Sequence, residues 1–231
     1  MTASASSSRD IEIESEDGGF DGYLAIPPAG HGPGVVVLQE WWGLVPHIRD
    51  VCDRLAREGF VALAPDLYRG DRTTDPDEAG RLMMALEIDR AGRDLVGAVE
   101  ALRRQPEVDG VGVGCIGFCM GGQLALHAAG LVPEITAVVD CYGVHPRVRP
   151  DLEACRAKVF GVFAENDEFV SASDVQDLRT ALEAANVDAT LKTYVGVQHA
   201  FLNETRPDVF DAETAAVAWR DIGAFLQAEL G

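Results

Sequence analysis

Apolar and polar positions change their rhythm near residue 34. Before it, residues 11–15 and 22–26 read as two short strands around Asp17-Gly18-Gly19, a turn signal. Residues 27–33 form a Pro/Gly loop. After it, strand-length apolar runs alternate with helical stripes. Gly34-Val35-Val36-Val37-Leu38-Gln39 is a continuous apolar run, as expected of a strand covered on both faces. Ile48, Val51, Cys52 and Leu55 stripe a helix over 46–58, which Gly59 ends. Further strands are expected over 61–64, 111–116, 135–142, 159–164 and 189–194. Helices are expected over about 76–104, 123–129, 173–185 and 207–230. This alternation predicts an α/β class with a mostly parallel central sheet and helices on both faces. Ligands in that class bind beyond the carboxyl ends of the strands.

Length and composition fit one domain. The chain has 231 residues, 47% of them apolar, enough for a single sizeable core. The expected division is a flexible polar N-terminus over 1–9 and one domain over 10–231. No apolar run approaches the roughly 20 residues of a membrane span, and the Ser-rich start has no signal-like apolar stretch, so the cytoplasm is expected. A net charge of −19 repels phosphate backbones and anionic lipid. Nucleic acid and membranes are therefore not expected as partners. A small molecule is, with the chain as a monomer or homodimer.

Five cysteines are an odd number, and disulfides are not expected in a cytosolic chain. Cys115 and Cys119 have a metal-like separation, but no second pair follows, so no metal is expected.

Gly117-Phe118-Cys119-Met120-Gly121-Gly122 sits between an expected strand and an expected helix. This G-x-C-x-G pattern is that of a nucleophile elbow with sulfur in place of the serine oxygen. The elbow sets Cys119 at a helix N-terminus, where the dipole favours thiolate, and leaves the Met120 N–H free for a developing oxyanion. A buried, inert cysteine in an ordinary strand–helix turn is the competing reading.

An elbow nucleophile requires an acid and then a histidine further along the chain. Glu165-Asn166-Asp167-Glu168 follows one expected strand, and Gly196-Val197-Gln198-His199 follows another. Cys119, Asp167 and His199 thus fall at three strand ends on one edge of the sheet. Glu165 and Glu168 compete with Asp167, and His145 is the reserve base. Gln39-Glu40-Trp41-Trp42-Gly43 closes the first buried strand at the same edge. The Trp41 N–H is the expected second oxyanion donor, and Trp41 and Trp42 are expected to wall an apolar pocket. Glu40, a carboxylate at the centre of the expected site, needs a partner, and the Cys119 thiol is the one within view.

These residues together resemble the dienelactone hydrolase family of α/β-hydrolases. The likeness runs from Gly34 to the C-terminus. It also includes Ala64-Pro65-Asp66-Leu67-Tyr68, Tyr142-Gly143 and Gly196-x-x-His199-x-Phe201. The resemblance implies an α/β-hydrolase fold and a Cys–His–Asp hydrolase of a lactone or small ester, with no metal or cofactor. It implies an acyl-enzyme intermediate and a glutamate, Glu40, that holds the resting thiol. Trp42, Arg81 and Phe201 are candidates for substrate contact or thiol control. In the family, one arginine that binds the substrate carboxylate comes a few residues after the histidine, where this chain has Leu202-Asn203-Glu204, with Arg206 later. The other belongs near residues 76–81 among aromatic residues, where this chain offers Arg81, Met83 and Met84. An esterase or thioesterase for an uncharged apolar substrate is the alternative, and a binding module without turnover a further one.

Overall fold

The computed structural model describes residues 6–231. Eight strands form one sheet in the order β1-β2-β4-β3-β5-β6-β7-β8. β1 (Ser7–Ile13), β2 (Phe20–Ile26) and β4 (Val61–Pro65) pair antiparallel, forming one side of the sheet. From β4 onward, β3 (Gly32–Leu38), β5 (Val108–Phe118), β6 (Ile135–Cys141), β7 (Lys158–Ala164) and β8 (Ala189–Tyr194) all run parallel.

Side-chain alternation sends each buried strand into two cores. Val36 and Leu38 of β3 pack on one face with Leu95, Val99 and Leu102 of α3 (Ile88–Arg103). On that face lie also Leu124 of α4 (Met120–Leu131) and Leu182 of α5 (Ala172–Ala184). Val35 and Val37 pack on the other face, against Ile48, Val51 and Leu55 of α1 (Pro46–Arg57) and Trp219 and Ile222 of α6 (Ala212–Leu230). Both faces are covered, which is why the strand reads as an unbroken apolar run.

Several element bounds differ from the expectation. β1 starts at Ser7, because Ser7, Ser8 and Arg9 pair with Ile26, Ala25 and Leu24. Part of the N-terminus expected to be flexible is therefore strand, and residues 1–5 lie outside the described residues. The helix expected over 76–104 is two, α2 (Pro76–Ala85) and α3. Leu86 adopts an extended ψ of 120° and is buried, which turns the chain between them. The last helix begins at Ala212 with Asp211 as its cap, leaving residues 201–211 as turns beside the strand ends. Among the described residues, no helix is long and apolar enough to cross a membrane.

Candidate active site

Cys119 stands between β5 and α4 with φ 53° and ψ −119°, a strained conformation for a residue bearing a side chain. Three backbone hydrogen bonds hold it: its N–H donates to the Cys141 carbonyl, and its carbonyl accepts from Gly122 and Val144. The flanking glycines are required by contact rather than by turn type. A Cβ on Gly117 would overlap the Gly121 carbonyl, and one on Gly121 would overlap the carbonyls of Leu38 and Gln39. This close packing turns the thiol toward the ends of the strands.

Asp167 and His199 follow β7 and β8, and the imidazole Nδ1 lies 2.8 Å from Asp167 Oδ2. Asp167 Oδ1 accepts from the N–H groups of Phe169 and Val170 at 2.8 and 2.9 Å, so its loop fixes the carboxylate. The competing acids are placed otherwise. Glu165 accepts from the Gly196 N–H, and Glu168 lies on the cavity wall without a bond to the ring. His145, the reserve base, is committed to the Met83 carbonyl and the Arg147 N–H. His199 Nε2 is buried and has no hydrogen-bond partner among the described residues.

Cys119 and His199 face one cavity of about 560 Å³, with Glu40, Trp41, Trp42 and Phe169 among its walls. The backbone N–H groups of Trp41 and Met120 reach toward the sulfur and favour its anionic form. Burial first, and then the Glu40 carboxylate, push the thiol well above its ordinary range. The loop carrying Trp41 turns back at Gly43, whose φ of +90° and contact with Asp71 and Arg72 leave no room for a side chain. Gln39 anchors the same loop by accepting from the Leu67 N–H.

Matching residues 20–230, a family model described as "Dienelactone hydrolase family" covers β2 to β8 and every loop of this site. The chain belongs to the dienelactone hydrolase family. Curated relatives agree over nearly the whole length. It is 40% identical to "Protein usf" of Aquifex pyrophilus, covering 94% of this chain and 96% of that one. It is 38% identical to a "Putative carboxymethylenebutenolidase" of Aquifex aeolicus, over 90% and 93% of the two chains. A crystal structure of a "Putative Dienelactone Hydrolase" from Klebsiella pneumoniae superposes with a TM-score of 0.87 at 29% identity, covering 96% of this chain and 99% of that one. The fold is the α/β-hydrolase fold, and the dienelactone hydrolase-like chain is a hydrolase acting on ester bonds.

Three expectations about the dienelactone hydrolase-like site need correction. Glu40 is buried, but its partner is Asn203: Oε2 accepts from Asn203 Nδ2 at 2.7 Å, and no hydrogen bond joins it to Cys119 among the described residues. The turns after His199 carry Asn203 back over the Gln39-Glu40 strand end, which the spacing alone does not reveal. Arg81 is not on the cavity wall. It is exposed on α2 and pairs with Glu78 one turn away. Phe201 lies beneath the site, wholly buried against Tyr142 and Tyr194, and supports the floor rather than touching the cavity. Trp42 does line the cavity, together with Arg206, whose guanidinium stands 5.9 Å from its ring and pairs with Asp208.

Met83, Val144, Phe169 and Val209 complete the apolar wall. They come from four separate segments with no shared spacing, so no sequence motif marks them. Two of them carry a signal: Met83 lies in the stretch where the resemblance places substrate contacts, and Phe169 stands two residues beyond Asp167.

Proposed function

We propose that this enzyme hydrolyses a lactone or small ester through Cys119, His199 and Asp167, by way of a thioester intermediate. The observation that carries the reading is the 2.8 Å contact between Asp167 and His199, which leaves Nε2 without a partner among the described residues on a cavity shared with Cys119. His199 Nε2 takes the thiol proton as the sulfur attacks the carbonyl carbon, while Asp167 orients the ring and balances its positive charge. The tetrahedral oxyanion accepts from the N–H groups of Trp41 and Met120. Collapse breaks the C–O bond, and the leaving oxygen takes the proton from His199. In a lactone that oxygen stays tethered as a hydroxyl of the acyl chain. Water, deprotonated by His199, then attacks the thioester carbonyl and releases a carboxylate and the free thiol.

Glu40 keeps the resting thiol neutral in this scheme, since its carboxylate disfavours a second anion on Cys119. A neutral thiol resists alkylation and oxidation until substrate arrives.

A second reading, an esterase or thioesterase for uncharged apolar substrates, has its own support. Arg206 is the arginine on the cavity wall, and Asp208 already neutralises it. A screen of lactones and aryl esters, each with and without a carboxylate, decides between the two. Carboxylate-bearing lactones as best substrates support the first reading, and neutral aryl esters or thioesters the second. Cys119→Ala should lower kcat by several orders of magnitude. Retained turnover in that variant would remove the cysteine from the mechanism.

A further inference from the structure

Asn203 is wholly buried, and both ends of its side chain are engaged. Oδ1 accepts from the Thr205 N–H at 3.0 Å and from Thr205 Oγ1 at 2.7 Å. A backbone N–H can only donate, so this pair of contacts fixes which end of the amide is oxygen. The NH₂ end therefore faces Glu40 and donates to Oε2 at 2.7 Å. Nothing in a catalytic triad requires this clamp.

We propose that Asn203 is a positioning residue: clamped by Thr205, it holds the Glu40 carboxyl beside Cys119 and so sets the pH at which that thiol is released. The inference rests on the cysteine-hydrolase reading above and deepens it. Glu40 meets few other charges. Cys119 faces it from the elbow, Cys141 and Tyr142 from the end of β6, and Arg206 from the same turns as Asn203. His199 shares the cavity wall, and Asp167 acts on the same thiol. Burial pushes Glu40 up to about 7, opposed first by the Asn203 hydrogen bond and then by Arg206. The carboxyl is thus poised to change charge near neutrality, and the amide is the strongest contact favouring its anion.

Removing the donor makes the anion harder to form. In Asn203→Leu, Glu40 should stay neutral to higher pH, and the opposing charge beside Cys119 should be missing at pH 7–8. The thiol should then alkylate faster there. The experiment is ¹³C NMR titration of the Glu40 carboxyl in the whole protein, with iodoacetamide alkylation of Cys119 followed against pH. We expect the Glu40 midpoint to rise by about one pH unit, a tenfold change in proton affinity, and alkylation at pH 7.5 to speed up about threefold, as the neutral share of Glu40 rises from about a quarter to about three quarters. Asn203→Asp keeps the shape of the side chain and replaces the donor with a second acid, so its midpoint should rise too. That variant serves if the leucine variant does not fold. In a Glu40→Gln background, Asn203→Leu should leave the alkylation profile unchanged.

An unmoved Glu40 midpoint in the folded variants, or an alkylation shift that persists in the Glu40→Gln background, overturns the proposal. Both readouts are independent of turnover. Turnover surviving in Cys119→Ala alongside a shifted Glu40 midpoint would instead fail the hydrolase reading and leave the clamp in place.

Discussion

The ring of Phe169 lies 4.9 Å from that of His199, on the loop whose Asp167 holds the imidazole from its other side. Phe169 also meets Trp41 edge-on at 6.4 Å, so one aromatic side chain spans the proposed base and the loop of a proposed oxyanion donor. It is 57% exposed, a large apolar surface open to solvent at the cavity rim. Such a surface gains by being covered, and a substrate in the cavity would cover it. Phe169→Ala should lower kcat/KM for small aryl esters about tenfold, mostly through KM, because the lost contact binds substrate rather than the transition state alone. Bulkier esters should lose less. Steady-state kinetics over an acyl-length series checks both statements.

Asp167→Asn keeps the shape of the acid and removes its charge. The two loop N–H groups still meet an oxygen, so the fold should survive, but the imidazole loses its counter-charge and its fixed tautomer. A fall in kcat on the order of 10³-fold or more is expected, with Tm nearly unchanged. Rapid kinetics and calorimetry on the same preparation separate the two effects.

Arg81→Ala should change kcat and KM for any ester by less than about twofold, since exposed ion pairs of its kind contribute little. Its partner Glu78 lies on the same helix, away from the cavity wall. Arg206→Ala, by contrast, removes a group that lines the cavity and should alter KM for anionic substrates. Parallel kinetics with a neutral ester and its carboxylate analogue provides the measurement.

Asp140 predicts a pH dependence of stability. It is wholly buried beneath the elbow, crowded against Gly122 and Gly143, and neither carboxyl oxygen has a side-chain partner among the described residues. Burial pushes it from an ordinary 3.8 up to about 7. Between those values the folded chain binds more protons than the unfolded chain, so stability falls as pH rises through the window. Glu40, raised to about 7, acts in the same direction. His47, lowered to about 4 by burial, acts oppositely between about 4 and 6.5. Asp140→Asn removes one of these contributions and should gain stability relative to the parent as pH goes from 4 to 8. At about 2–4 °C per kcal/mol for a domain of this size, the gain should be visible in Tm. A Tm difference flat in pH would mean that Asp140 does not titrate in this range.

Much of this architecture could be read from one-dimensional patterns. Strand-length apolar runs gave the parallel sheet, and chemistry-bearing residues just after those runs must share its carboxyl edge. That reasoning reaches Cys119, Asp167 and His199 because a strand's end fixes position to within a residue or two. It fails for Asn203 and Arg206, which reach the cavity through several turns after β8 whose path no periodicity records. Arg81 came from the resemblance rather than from strand ends, and on α2 a one-residue difference rotates a side chain by about 100°, so position in the stretch cannot tell wall from solvent. The break at Leu86 is not legible in the sequence because no Gly or Pro marks it. A single buried leucine in extended conformation does the turning.

The division of labour between sheet and turns bears on how such an enzyme could acquire new substrates. The atoms proposed to react hang from strand ends locked by backbone contacts that tolerate no extra carbon at Gly117 or Gly121. Apart from Met83 and Pro76 of α2, the surfaces a substrate would touch belong mostly to segments such as 41–42, 144–146, 166–169 and 206–209, outside every strand and helix. A lineage is free to lengthen, shorten or rewrite those segments while the sheet goes on folding as before. Diversification should therefore proceed by insertion and exchange at the rim, and chimaeras that transplant one rim segment between relatives should inherit the donor's taste in esters without its stability.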